Sequence, residues 1–405
     1  MKSGPHILTF EVTGREAGMT IRAFLREKLQ FSGHQISRLK YQAEGIRVDG
    51  EKAYVNHVLS AGETLTIGLT QQVLRRDTEG GRPARIWEAP APSLDRFPLQ
   101  VLYEDEDLLI VDKPAGIVVH PSPGHYNDTL ANQAAAHLGA VGKELDIRVT
   151  GRLDRETSGI VTFAQNTETA ALIQRQRAEG TLIKTYIALA EGDFADESGV
   201  VDVPLRRKAV GESGVADVNG AADVNGAADV RGAANVRGAA NVSLRRKTPD
   251  DMRMEAAEDG KPARTFYRVL RRITGPDGQP RTLLACRIEH GRTHQIRVHM
   301  AHIGHPLAGD PLYGATQSHR CVESSRVQGD SLYGQMHLDS KSEAEPGVEQ
   351  ICAVSKAETP CEPMGLHAWK VTLRQPFTRA LIEVEAPLPV WAARWISSQD
   401  FLEGR

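Results

Sequence analysis

GRLDRETSG at residues 151–159 is the stretch on which the reading of this chain turns. One carboxylate, Asp154, stands between Arg152 and Arg155, and Thr157, Ser158 and Gly159 follow at once. An aspartate in such company can be an ordinary cap or turn residue, since its side chain satisfies nearby backbone N–H groups. The crowding of Thr, Ser and Gly behind it points instead to a tight loop that presents a catalytic carboxylate.

Two later segments bear on that choice. KTYIAL at 184–189 has the composition of a strand, in which Tyr186 can be core packing or a flat side chain offered to a ligand. GRTHQIRVHMAHIGHPLAGDPLYG at 291–314 lies in an alternation of Ile288, His290, Arg292, His294, Ile296 and Val298, which predicts a strand passing into helix-like structure. His299, His302 and His305 invite a metal reading. Spacing of three drifts round a helix, however, no carboxylate is placed to join them, and Gly304 with Pro306 ends the element, so no metal is expected. His294 or His299 is a candidate for a phosphate contact, Gly309 and Asp310 read as turn residues, and Lys113-Pro114 reads as a structural turn that could also touch RNA.

Working outward, residues 7–12 alternate as a strand, and 20–29 place Ile21, Phe24, Leu25 and Leu29 on one helical face. A second helix is predicted over 34–43, then a hairpin turned by Asp49-Gly50, then the strand LTIGL. These make a small α+β module over residues 1–70. Its Arg22, Arg26, Arg38, Lys40 and Arg47 are cations suited to RNA phosphates, or else a solvated face. Residues 71–99 read as a linker, rich in Pro, Gly and both charges. A second domain over 100–395 shows many short strands and few helices. Its clearest helix spans 168–180, with Ala171, Leu172 and Arg175 inward and Gly180 as its cap. Hexads such as GAADVN repeat over 214–243, too few to stack as a solenoid, so 209–243 is expected to be an inserted loop. Residues 315–362 are expected to be another.

Composition bounds the rest. Of 405 residues, 40% are hydrophobic and 25% charged, ordinary values for a globular chain. A net charge of -3 excludes a protein coated in basic residues, so any nucleic-acid contact must rest on local patches. No apolar run suits a secretory signal or a membrane span, which implies a cytoplasmic location. The four cysteines lack zinc-type spacing, and neither disulfide nor metal is expected.

Taken in order, GRLDRETSG, KTYIAL and the 291–314 segment resemble the RluA-type family of RNA pseudouridine synthases, together with LHAW at 366–369 and APLP at 386–389. The N-terminal module is similar to the small RNA-binding domain first seen in ribosomal protein S-four. The resemblance implies an α/β (α+β) fold with a mixed, mainly antiparallel central sheet and flanking helices, preceded by that small α+β domain. It also implies isomerisation of uridine in structured RNA without a cofactor, acting on large-subunit ribosomal RNA first and transfer RNA second, in a monomer. On the family's pattern Asp154 is the catalytic carboxylate, Arg297 the bidentate guanidinium that aims it, and Tyr186 the ring that stacks on the flipped base. Arg152, Arg292, His294 and Ile296 complete the substrate pocket. Gly151 departs from the pattern, since many relatives carry a histidine or another polar residue there. Two rival classes are a non-catalytic RNA-binding protein and a carboxylate-based glycosidase or nucleoside hydrolase, although no second catalytic acid is spaced for the latter.

Overall fold

The computed structural model describes residues 6–42, 44–69, 90–122, 124–139, 147–208, 253–314 and 363–397. Both expected insertions, 209–243 and 315–362, and most of the expected linker lie outside the described residues.

Strands β1 (His6–Glu11), β2 (Ile46–Val48), β3 (Glu51–Lys52) and β4 (Thr64–Leu69) form an antiparallel sheet in the order β1-β4-β2-β3. Asp49 (φ 49°) and Gly50 (φ 83°) both adopt the left-handed conformation that a two-residue hairpin turn of matching twist requires. Helices α1 (Ile21–Glu27) and α2 (Gly33–Lys40) begin at Thr20 and Ser32, whose hydroxyls accept from the backbone three residues on. The second helix stops short of the predicted residue 43. A Cβ at Gly45 would lie 3.0 Å from the carbonyl carbon of Leu39, so the chain doubles straight back on the helix end.

This module does not float free of the rest. Its apolar core continues into Leu172 and is packed by Phe377, while Phe31 meets Phe377 edge to face at 6.3 Å. Polar contacts close the seam: His6 Nδ1 lies 3.0 Å from Asp107, and Arg38 pairs with the fully buried Glu168.

The large sheet is built from β5 (Gln100–Glu104), β6 (Leu108–Lys113), β7 (Arg148–Val149), β8 (Ser158–Ala164), β9 (Ile183–Glu191), β10 (Ser198–Asp202), β13 (Arg264–Thr274), β14 (Pro280–Ile288), β15 (Leu366–Arg374) and β16 (Leu381–Glu385). Its main path runs β10-β13-β14-β9-β15-β8-β6-β5, with β16 on β15 and β7 on β8. Among the described strands only β15 and β8 pair in parallel. The sheet is thus mixed and mainly antiparallel, in line with the expected fold class. A separate ribbon joins β11 (Leu205–Arg207) to β12 (Met254–Ala256).

Strand β6 shows why this sheet is central. Leu109 and Val111 join one core, with Leu130 of α3 (Leu130–His137) and Met300 of α5 (Gln295–His302). Leu108 and Ile110 join another on the opposite face, with Ile173 of α4 (Thr167–Ala178). Its apolar residues are continuous rather than alternating because both faces are covered. In α4 the inward residues are Glu168, Thr169, Leu172, Ile173 and Gln176, which corrects the inward placement of Ala171 and Arg175. The error came from an apolar alanine. Burial here is decided by polar partners: Gln176 donates to the Arg374 carbonyl and accepts from the Arg374 N–H. The short α6 (Val390–Ala393) closes the described chain.

Candidate active site

Asp154 sits in the loop between β7 and β8, and the loop is fastened at both ends. Lys113, wholly buried, donates from Nζ to the carbonyls of Pro114, Ile117 and Arg155, each at 2.9 Å. The Gly116 N–H donates to the same Arg155 carbonyl at 2.8 Å. The DKPAG turn is therefore a clamp on the Asp154 loop, and Lys113 is not available to RNA as the sequence had allowed. At the far end Gly159 has φ 103°, and a Cβ there would lie 2.7 Å from the Ala368 backbone nitrogen. Only glycine lets the loop enter β8 so close to β15. Ser158 Oγ, 2.8 Å from His367 Nδ1, ties the same point side chain to side chain.

Arg297, in the first turn of α5, is almost wholly buried and meets two carboxylates. Nε and Nη2 each donate at 2.8 Å to the two oxygens of Asp310, and Nη1 lies 3.4 Å from Asp154 Oδ2. The expected bidentate grip on Asp154 is therefore corrected. The fork closes on Asp310, and Asp154 receives one long, weak contact. Asp310 is no mere turn residue: its Oδ1 also accepts from the N–H groups of Leu312 and Tyr313. Burial alone would lower the pKa of Arg297, but hydrogen bonds and charge from Asp310, with the charge of Asp154, carry it upward. The guanidinium also lies 5.2 Å from the Tyr313 ring centroid.

His294 adopts the left-handed conformation (φ 54°) just before α5. Its Nδ1 is 2.9 Å from Tyr313 Oη, and that oxygen accepts from the Met254 N–H at 2.8 Å. The other ring nitrogen, Nε2, lies 3.9 Å from Asp154 Oδ1. Burial lowers the His294 pKa, partly offset by Asp154. A neutral imidazole therefore stands beside the carboxylate.

Tyr186 lies in β9, opposite Cys286 of β14 on one side and Ala368 of β15 on the other. Burial pushes its phenol up to about 12, with Arg177 pulling the other way and Asp154 adding to the rise. Asp154, Tyr186 and Arg297, with Arg152, Arg292, His294 and Ile296, all line one cleft of about 460 Å³. Within it Asp154 keeps 21% of its side chain exposed, enough to meet a ligand. Arg152 donates to Thr293 Oγ1, and Arg292 Nε to the Pro262 carbonyl.

The other expected contacts divide. Arg22, Arg26 and Lys40 are exposed on the N-terminal module. Arg38 is turned onto Glu168, and Arg47 onto Glu44 and the Gly50 carbonyl. Their charges are already partnered, and Arg38 serves the seam with the large sheet rather than an open phosphate face. His299 is wholly buried between Thr265 Oγ1 and the Val203 carbonyl, which removes it as a phosphate contact. Among the described residues no cluster of three His, Cys, Asp or Glu is placed to hold a metal. Sequence reasoning missed Asp310, Tyr313, Lys113 and Arg177. A buried arginine requires a buried carboxylate, and DPLYG, which holds the aspartate thirteen residues on, was the available signal for the first two.

A family model described as RNA pseudouridylate synthase matches residues 107–302. The chain is similar to ribosomal large subunit pseudouridine synthase D of Nitrosomonas europaea, 32% identical over 295 residues, which are 73% of this chain and 63% of that protein. The same-named protein of Xanthomonas campestris is 32% identical over 302 residues, 74% of this chain and 72% of that protein. An uncharacterized RNA pseudouridine synthase of Bacillus subtilis, YlyB, is 30% identical over 66% of this chain and 70% of its own length. Among solved structures, human RNA pseudouridylate synthase domain containing 1 aligns with a TM-score of 0.45 at 20% identity, covering 80% of this chain and 96% of that one.

Proposed function

The chain belongs to the RNA pseudouridylate synthase family, and from that premise we propose that its cleft isomerises specific uridines of large-subunit ribosomal RNA, with Asp154 as the catalytic carboxylate. The observation that carries this reading is the convergence of Asp154, Tyr186 and Arg297, from three distant segments, on one cleft.

The reaction breaks the bond between ribose C1′ and N1, turns the uracil, and forms a bond from C1′ to C5. The hydrogen on C5 leaves and N1 gains one, so atoms and electrons balance without a cofactor. A uridine must first leave its stack, and the Tyr186 ring offers the flat face that holds it. With its phenol near 12, Tyr186 stays neutral at physiological pH and serves as a stacking platform and a hydroxyl for proton passage, not as a standing anion. Asp154 faces the sugar. Because Arg297 touches it through one long contact, the carboxylate is aimed yet keeps lone pairs free for C1′ or its proton. Arg22, Arg26 and Lys40 supply phosphate contacts on the small module, in keeping with its resemblance to the S-four-type RNA-binding domain. A chain that holds the whole cleft works as a monomer, in the cytoplasm with its RNA. No helix among the described residues is long and apolar enough to cross a membrane.

The test is pseudouridine mapping of ribosomal and transfer RNA from cells lacking this protein, complemented with wild type or Asp154→Ala. Pseudouridines that vanish and return only with wild type support the reading and name the sites. An unchanged map favours a binding protein, and release of free uracil would favour a hydrolase.

A further inference from the structure

Arg177 occupies the last turn of α4, yet it points to the cleft rather than to water. Its guanidinium lies against Gly151: a Cβ built there would collide with Nη2, and Cζ would stand 3.3 Å from it. Both residues line the cleft that holds Asp154 and Tyr186. The space a side chain at position 151 would take is filled by an arginine reaching in from another element. Gly151 has no left-handed backbone to explain it, so the room it makes for Arg177 is the reason for a glycine here.

A cation in the last turn of a helix often does no more than face the helix dipole. Arg175, exposed two residues earlier, already fills that part. Arg177 is different. It is partly withdrawn from solvent, and burial lowers its pKa, countered by Tyr186. Among the described residues it has neither a hydrogen-bonding nor an ion-paired partner, whereas Arg297 has two carboxylates and Arg292 a carbonyl. A partly desolvated guanidinium left unpaired beside a binding cleft is costly unless an anion arrives with the ligand. The cleft lining offers Asp154, already facing Arg297, and Glu289, already paired with Arg264. The anion must therefore come from the ligand, and an RNA strand brings one at every nucleotide.

We infer that Arg177, admitted by Gly151, binds a phosphodiester flanking the uridine held in the cleft and positions that nucleotide between Asp154 and Tyr186. This rests on the proposed uridine isomerisation. Arg177 is a positioning residue: it moves no proton and breaks no bond.

The experiment uses the full-length protein with a transcript of bacterial large-subunit ribosomal RNA, followed by a synthetic RNA around the uridine found to be converted. Single-turnover conversion is measured for wild type, Arg177→Leu, Arg177→Lys and Gly151→Ala across a salt series. Losing one charge-assisted contact raises the half-saturating concentration about ten- to a hundred-fold in Arg177→Leu, while the maximal rate changes far less. The slope of log affinity against log salt falls by about one. Arg177→Lys recovers the slope and part of the affinity. Gly151→Ala, whose Cβ displaces the guanidinium, mimics Arg177→Leu and adds nothing to it. A methylphosphonate at one flanking phosphate weakens wild type but not Arg177→Leu. Equal affinity and salt slope for wild type and Arg177→Leu overturn the assignment alone, as do methylphosphonate losses that add fully to that of Arg177→Leu. A folded wild type that converts no uridine removes the proposed function and this inference with it.

Discussion

Replacing Asp310 with asparagine removes one charge from the least exposed ion pair at the site while keeping the shape of the side chain. The Asp310 side chain has no exposed surface, that of Arg297 only 3%, and the two bonds between them are 2.8 Å long, so solvent does not screen the pair. Breaking a buried pair by removing one partner costs about 3–5 kcal/mol, because the other charge stays buried. Asparagine keeps a single acceptor oxygen, which at the Oδ1 position still serves Nη2 and the Leu312 and Tyr313 N–H groups, but its NH2 group then faces the Nε–H, donor against donor. The expected loss therefore lies at the high end, about 5 kcal/mol. For a chain of 405 residues unfolding as a unit, that is a fall in melting temperature of about 6 °C. The second effect concerns chemistry. Freed from its bidentate partner, Arg297 closes its 3.4 Å contact and pairs fully with Asp154, whose free lone pairs are then engaged. The single-turnover rate on ribosomal RNA falls at least ten-fold with little change in RNA affinity. Calorimetry and rapid-quench conversion read the two effects separately. A variant with unchanged melting temperature and unchanged rate would refute the claim that Asp310 holds Arg297 back from the carboxylate.

Three further outcomes follow from the same geometry. Arg297→Lys supplies a point charge that cannot span both carboxylates, so it loses the maximal rate by a hundred-fold or so while the far-ultraviolet dichroism spectrum stays that of wild type; full activity would show that the fork is dispensable. Tyr186→Phe keeps the stacking face and loses the hydroxyl, so RNA affinity stays within about three-fold and the rate drops, whereas Tyr186→Leu weakens both, as RNA titrations and quench kinetics would reveal. Burial lowers the His367 pKa to about 4 from 6.5, so between those values the unfolded chain binds more protons and stability rises with pH. Acidification from pH 6.5 to 4 therefore costs wild type about 3 kcal/mol through this residue, and the difference in urea midpoint between wild type and His367→Gln should shrink across that window; a constant difference would contradict it.

The elements that sequence pattern locates best are those governed by local rules. Asp49-Gly50 dictates its turn by backbone sterics alone, and the apolar face of 20–29 needs only periodicity to be read. Asp154, Tyr186 and Arg297 could be proposed as a group because three motifs recur in order, not because anything in the sequence brings them together. What stayed illegible is non-local. Asp310 and Lys113 look like turn residues until burial shows each satisfying a partner from another segment. Arg38 looks like a surface cation until Glu168 appears beneath it, and Gly151 looks like a lost contact until Arg177 fills the space. For the first three the deciding fact is a charge that required a partner across the fold, and for Gly151 it is a space filled from another element, neither of which a linear pattern displays.

Helix α4 holds the small module at one end, through Glu168, and reaches the cleft at the other, through Arg177. Those two positions are nine residues apart in sequence, which at about 1.5 Å of rise per residue is a span of about 13.5 Å. The helix is thus a gauge block set between the outer grip and the pocket. One extra turn inserted in it would lengthen that span by about 5 Å, so the module could not keep both its seam with the sheet and its distance from the pocket.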